Sequence, residues 1–143
     1  MNLKVKVVGT EYIQQFWPLV ESYIKSALEE GQPYPEWSYP YTIEHVRMYL
    51  AMGNWTLLIA TDDENTIHGA MTISYIDYPL HRIAFITTTG GKFITNKDTF
   101  NQVKEIVKYY GATKLQAYCR DSMVRYLKRF DFEPRNTLVE VLV

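Results

Sequence analysis

Leu3, Val5 and Val7 alternate with Lys4 and Lys6, a period-two pattern that predicts a strand with one buried face. The period then lengthens. Ile13, Phe16, Trp17, Val20, Ile24, Ala27 and Leu28 recur at helical spacing, which predicts a long helix with a broad apolar stripe. Thr10 is placed to cap it, Pro18 to kink or divide it, and Gly31 to end it. Residues 31–41 carry Pro33, Pro35 and Pro40, which prevent helix and favour extended or turn backbone. Thr42 then caps a second helix running to about Met52, with Val46, Tyr49 and Leu50 inward and Gly53 as its stop. Residues 55–61 read as a strand, 62–65 as a polar turn, and 67–75 as the antiparallel return, where Gly69-Ala70 permits a bulge. Tyr78-Pro79 turns the chain into a further strand at 82–88.

That strand enters a run of small residues, Thr87-Thr88-Thr89-Gly90-Gly91-Lys92, read as a loop before a helix at 96–110. Phe100, Val103, Ile106, Val107 and Tyr110 form one face of the helix, and Gly111 closes it. A strand at 114–118 and a short amphipathic helix at 122–130 follow, and the apolar run 138–143 reads as a sheet-interior strand. The order β-α-α-β-β-β-α-β-α-β predicts an α/β (α+β) fold. It is a single domain over residues 1–143, with a central mixed, mostly antiparallel sheet and helices on both faces. The late strand–loop–helix–strand unit is a crossover whose loop offers backbone N–H groups at a helix N-terminus.

With 143 residues and 47% hydrophobic content, the chain has room for one core. A net charge of −1 provides no global basic field, which disfavours nucleic acid as a partner. Cys119 is the single cysteine, so an internal disulfide framework is excluded, and His45, His68 and His81 show no metal-ligand spacing. No apolar run reaches the roughly 20 residues of a membrane span, and the alternating N-terminus lacks a signal peptide's apolar segment. The expectation is a cytoplasmic domain with no membrane partner and no metal. Self-association as a homodimer is left open. The 12 tyrosines are an excess, gathered partly in residues 31–41.

Order and spacing from residue 82 to 132 resemble the acyl-CoA-binding half of the GNAT-type N-acyltransferase superfamily, and the layout matches from end to end. The resemblance implies acyl-CoA, most simply acetyl-CoA, as cosubstrate. It implies that the pantetheine arm lies beside Ile86, Thr87 and Thr88, in a slot between strands 82–88 and 114–118. In that family the pyrophosphate sits on a loop patterned Arg/Gln-x-x-Gly-x-Gly/Ala. Here the register falls on residues 90–95, with Gly90 in the leading position, Phe93 at the middle glycine and Thr95 at the last. Gly90, Gly91, Lys92, Thr95 and Asn96 still offer close backbone approach, a cation and polar groups to a phosphate. Arg125 is a further candidate for the CoA phosphates.

The family's next signature, Asn-x-x-Ala-x-x-hydrophobic-Tyr-x-x-x-Gly-Phe, falls on residues 120–132. Arg120 takes the asparagine place, Met123 the alanine, Leu127 the tyrosine and Asp131 the glycine, and Phe132 matches. The tyrosine of that signature commonly protonates the leaving thiolate. Tyr126 is one position, about 100°, around the helix from its place. Tyr118, Cys119 and Tyr126 are therefore the candidate acids. Strand 82–88 has no carboxylate, so His81, with Asp77, Glu36 and Glu44, is a candidate to take the amine's proton. Tyr34, Trp37, Tyr39 and Tyr41 lie where the family builds its acceptor pocket, and imply an aromatic wall for a small-molecule or protein amine. Arg125, Lys128 and Arg129 share a helix face that serves equally as a solvated side. The Tyr-Leu-Lys tract with an eroded phosphate loop also resembles small GNAT-like proteins of tailed phages. The alternative reading is accordingly a non-catalytic binding or virion-assembly component.

Overall fold

The computed structural model describes residues 2–30, 38–93 and 96–143. Its elements are β1 (Lys4–Val8), α1 (Ile13–Glu30), α2 (Ile43–Ala51), β2 (Trp55–Thr61), β3 (Ile67–Asp77), β4 (Arg82–Gly91), α3 (Lys97–Tyr109), β5 (Lys114–Gln116) and α4 (Asp121–Lys128). The sheet order is β1-β2-β3-β4-β5, antiparallel through β4 and parallel between β4 and β5. Alternation along β2 sends Leu57 and Ile59 to one face, with Trp17, Val20 and Ile24 of α1 and Val46 and Leu50 of α2. Leu58 and Ala60 go to the other face, against Val103 and Val107 of α3. The expected mixed sheet with helices on both faces is what the chain forms.

Local chemistry accounts for most boundaries. Thr42 caps α2 by accepting from the His45 N–H, while His45 Nδ1 accepts from the Thr42 N–H at 3.0 Å, a capping box closed by histidine. Asn96 caps α3, its Oδ1 accepting from the Thr99 N–H at 2.8 Å. Two expectations at α1 are corrected. A 3-10 turn at Thr10–Tyr12 leads into the helix, so Gly9 and not Thr10 holds the cap position, and no side chain caps it. Pro18 also does not divide α1, which continues through it as one helix, because its deeply buried stripe outweighs the one backbone donor proline removes. Gly31 lies outside the described residues.

Further corrections concern the sheet. The β2–β3 bulge falls on His68, beside the expected Gly69-Ala70 pair, since Ala60 pairs with Gly69 and Thr61 with Ile67. The run expected as a loop is strand: β4 continues to Gly91, with Gly90 opposite Ala70 and Gly91 opposite Gly69. Packing explains the glycines. A Cβ on Gly90 would stand 2.2 Å from the Tyr23 carbonyl oxygen, so α1 crosses β4 at a point where no side chain fits. Gly91 has φ +74° and would meet the His68 carbonyl oxygen at 2.4 Å. β5 ends at Gln116, two residues before the expected 118. Residues 138–143 form no strand, and Leu138, Val139, Val141, Leu142 and Val143 are all exposed. An apolar pattern states a preference for burial but does not choose a partner edge, and this run pairs with none in the described sheet.

Candidate functional site

Two irregularities coincide on β4. On its β3 side, Thr88 pairs with Thr72 and Ile86 with Ile73, so Thr87 is an extra residue, a bulge. On its β5 side, the ladder holds Ile83, Ala84 and Phe85 against Lys114, Leu115 and Gln116, then stops. β4 runs on to Gly91 with no partner on that side among the described residues. The sheet therefore opens beside Ile86, Thr87 and Thr88. Ile86 belongs to the core against α3, while Thr87 and Thr88 are buried under Thr72.

The threonines form a hydrogen-bonded group. Thr87 Oγ1 donates to the Thr72 carbonyl at 3.0 Å. Thr72 Oγ1 lies 2.7 Å from Thr87 Oγ1 and 2.6 Å from Thr88 Oγ1. The Tyr41 hydroxyl donates to the Thr87 carbonyl at 2.7 Å. Tyr41 also meets Trp55 edge-on at 4.9 Å and Tyr39 at 5.5 Å, while Tyr49 packs on Trp55 at 4.7 Å. Burial, then the neighbouring Tyr39 and Tyr118, hold the Tyr41 hydroxyl well above the ordinary phenol value, so it stays a donor. Burial likewise raises Tyr39, with Arg120 partly offsetting it. Tyr39 and Tyr41 wall a cleft of about 300 Å³ with Leu28, Glu29 and Ile43.

Tyr118 stands at the mouth of the opening, its ring edge-on to Phe85 at 5.0 Å and half exposed. Cys119 follows it. Burial, then Asp121, push its thiol pKa up, so the neutral thiol is favoured and a thiolate nucleophile is not. Arg120 donates to the Glu30 carbonyl, tying the start of α4 to the end of α1. Tyr126 packs at 5.4 Å on Phe130, with the Arg129 guanidinium over its ring, on the flank of α4. His81 lies at the closed end of β4, where its Nδ1 is 2.9 Å from Thr113 Oγ1. The structure thus brings together Tyr39, Tyr41, Thr87, Thr88 and Tyr118, and sets His81 apart. Tyr34, Trp37 and Thr95 are outside the described residues.

The phosphate end differs from the family loop. Phe93, at the middle-glycine position, is fully buried, and the Lys92 N–H is spent on the His68 carbonyl at 2.9 Å. Tyr23 closes off Gly90 and Gly91. Among the described residues, the groups left for an anion are the exposed Lys92 side chain and the first-turn N–H groups of α3, one of which Asn96 already occupies. Arg125 is on the exposed face of α4. Among the described residues, the β4–β5 ladder thus ends before the Thr87 bulge, and the start of α3 keeps an exposed lysine and a helix terminus.

Sequence reasoning misses Thr72 and Phe85 as site residues. The signal for Thr72 is a hydroxyl inside the apolar run Ala70-Met71-Thr72-Ile73, and for its partners three successive threonines at 87–89. Phe85 carried no signal, because an aromatic residue in a strand reads as core.

No protein-family model matches this chain, and no curated protein matches it in sequence. Solved structures do. An aminoglycoside acetyltransferase, meta-AAC0020, from an uncultured soil metagenomic sample, in complex with sisomicin, superposes with a TM-score of 0.65 at 15% identity, over 99% of this chain and 95% of that one. A predicted acetyltransferase from Clostridium acetobutylicum, solved with acetyl-CoA, gives 0.64 at 16% identity, over 99% and 96%. A second soil-metagenome aminoglycoside acetyltransferase, HMB0005, gives 0.66 at 12% identity, over 100% and 99%. The chain therefore has the fold of GNAT-type acetyltransferases over essentially its whole length.

Proposed function

We propose that the protein is an acyl-CoA-dependent N-acyltransferase, with acetyl-CoA the simplest donor and an amine as acceptor. The observation that carries this reading is the coincidence on β4. The β4–β5 ladder stops at Phe85 and Gln116, immediately before the Thr87 bulge, and leaves an opening of the right kind for an extended pantetheine arm. Ile86, Thr87 and Thr88 line it, with Lys92 and the α3 N-terminus toward the phosphates and Arg125 on the neighbouring helix. Tyr39 and Tyr41 face the acceptor. The amine nitrogen attacks the thioester carbonyl carbon, a C–N bond forms as the C–S bond breaks, and CoA leaves as thiolate. The amine's proton passes to water, and Tyr118, at the mouth of the opening, returns a proton to sulfur. His81 is too far along β4 to serve there. Tyr126, on the flank of α4, is the second choice as acid.

Binding of acetyl-CoA, followed by calorimetry and by thermal unfolding, tests the reading directly. The melting temperature should rise with ligand concentration, and Lys92→Glu should weaken the rise. No heat and no shift at millimolar acetyl-CoA would remove the transferase reading. A non-catalytic binding or assembly role would then be favoured by the exposed apolar run 138–143 and the lost phosphate loop.

A further inference from the structure

The hydroxyl protons around the bulge can be assigned. Thr87 has one hydroxyl hydrogen, and it is given to the Thr72 carbonyl. The Oγ–Oγ contact between Thr72 and Thr87 then requires Thr72 to donate. With its own hydrogen spent, Thr72 can only accept at its second contact, so Thr88 donates to Thr72. The order is one-way: Thr88 to Thr72, Thr72 to Thr87, Thr87 to the Thr72 carbonyl. Tyr41 reaches the same bulge from the segment before α2 and takes the Thr87 carbonyl. Burial keeps that phenol protonated, so this contact does not lapse at working pH. Thr72, Thr87 and Thr88 are 0%, 7% and 2% exposed, so water does not compete for these bonds.

A strand paired on one side only and carrying an extra residue would otherwise have several shapes. Resting on the reading that an acyl donor lies along this part of β4, we propose that Tyr41 and Thr72 are positioning residues. They lock the Thr87 bulge in the one shape against which the donor's acyl group is laid. Neither is a catalytic residue, since each acts through the β4 backbone. The lock also links the two substrates, because Tyr41 is at once a wall of the aromatic cleft and a holder of the donor's strand.

Three variants test this. Tyr41→Phe keeps the ring on Trp55 and loses the hydroxyl; Thr72→Val keeps the volume and breaks the chain; Thr72→Ser keeps the chain. In the ligand-free protein, amide hydrogen exchange at residues 86–89 should quicken in Tyr41→Phe and Thr72→Val and stay at the parent rate in Thr72→Ser. With ligands, the first two should lose about tenfold in affinity for acetyl-CoA while affinity for CoA, which lacks the acyl group, stays within about twofold. Their kcat should fall by about 10–100-fold, and the KM for acetyl-CoA should rise about tenfold in step with the lost affinity. A parent that binds neither acetyl-CoA nor CoA removes the transferase reading and this proposal with it. A parent that binds both, with Tyr41→Phe and Thr72→Val unchanged in exchange, affinity and kcat, overturns the lock alone. Equal loss of both ligands without rescue by Thr72→Ser also overturns it, because general loosening gives that result.

Discussion

At Gly90 a single hydrogen in place of a methyl decides whether α1 can cross the sheet. The pair Gly90-Gly91 invites a phosphate-loop reading, yet its backbone is paired to β3 and covered by Tyr23. Gly90→Ala should therefore destabilise the fold by about 1–3 kcal/mol in urea unfolding, since the obstruction is backbone and cannot turn aside. Lys92→Glu, on an exposed side chain, should change stability by less than about 0.5 kcal/mol. The two substitutions separate packing from anion binding within one short run. Cys119 gives a second residue-scale test. With its pKa raised above the usual 9.0, alkylation by iodoacetamide should be slow at neutral pH and quicken only in the alkaline range.

At the scale of elements, the two edges of the sheet are treated differently. β1 is an edge strand, and Gln102 of α3 lies along it: its Oε1 accepts from the Val5 N–H at 2.8 Å and its Nε2 donates to the Leu3 carbonyl at 2.9 Å. One side-chain amide thus satisfies the backbone groups a neighbouring strand would take, which blunts the edge. Gln102→Leu should cost about 1–3 kcal/mol through the two lost bonds and raise self-association in sedimentation velocity. Residues 138–143 have no such partner. Deleting them should change the stability of the monomer by less than about 0.5 kcal/mol, and a larger loss would show that the run pairs with a sheet edge in solution. The β2–β3 hairpin is braced by Asp62, whose carboxylate accepts from His68 Nε2 at 2.8 Å and from the Glu64 and Thr66 amides. The bond from His68 is the chief cause of its lowered pKa. A lowered carboxyl pKa stabilises above the unfolded value and is lost as pH falls through the folded one. Asp62→Asn should accordingly flatten the acid limb of the stability profile below about pH 4.

For the whole molecule, the three-layer arrangement places α1 and α2 on one face, α3 on the other, and an opening between β4 and β5. On the proposed transferase reading, half-buried Leu127 takes the place of the tyrosine in the resembled signature, so transfer should be slow and should speed up with pH as the acceptor amine deprotonates. A bell-shaped profile with a neutral-range acid limb would show that a side chain has taken over protonation, and Tyr118→Phe should then lower kcat without weakening donor binding. Leu127→Tyr should raise kcat. Donor binding by the parent with no transfer from either protein to a broad amine panel would leave the fold and overturn the reaction.

Legibility followed the range of the interactions. Period and caps are written in neighbouring residues, so the order of helices and strands from β1 to α4, the crossover and the two-faced sheet were readable, as were the Thr42 cap and the α3 boundaries. The misreadings depend on contacts remote in sequence. Whether Gly90-Gly91 is loop or strand depends on Tyr23 and Gly69, and the place of the bulge depends on pairing with Thr72. The apolar pattern at 138–143 likewise does not choose a distant partner edge. The site itself joins the segment before α2, the middle of β3 and β4, and the chain after β5. By itself the sequence determined the order of elements from β1 to α4, because local backbone preference and hydrophobic period act within a few residues. Only the tertiary structure decided where the sheet opens and which hydroxyls meet there, because strand register is a choice among distant partners.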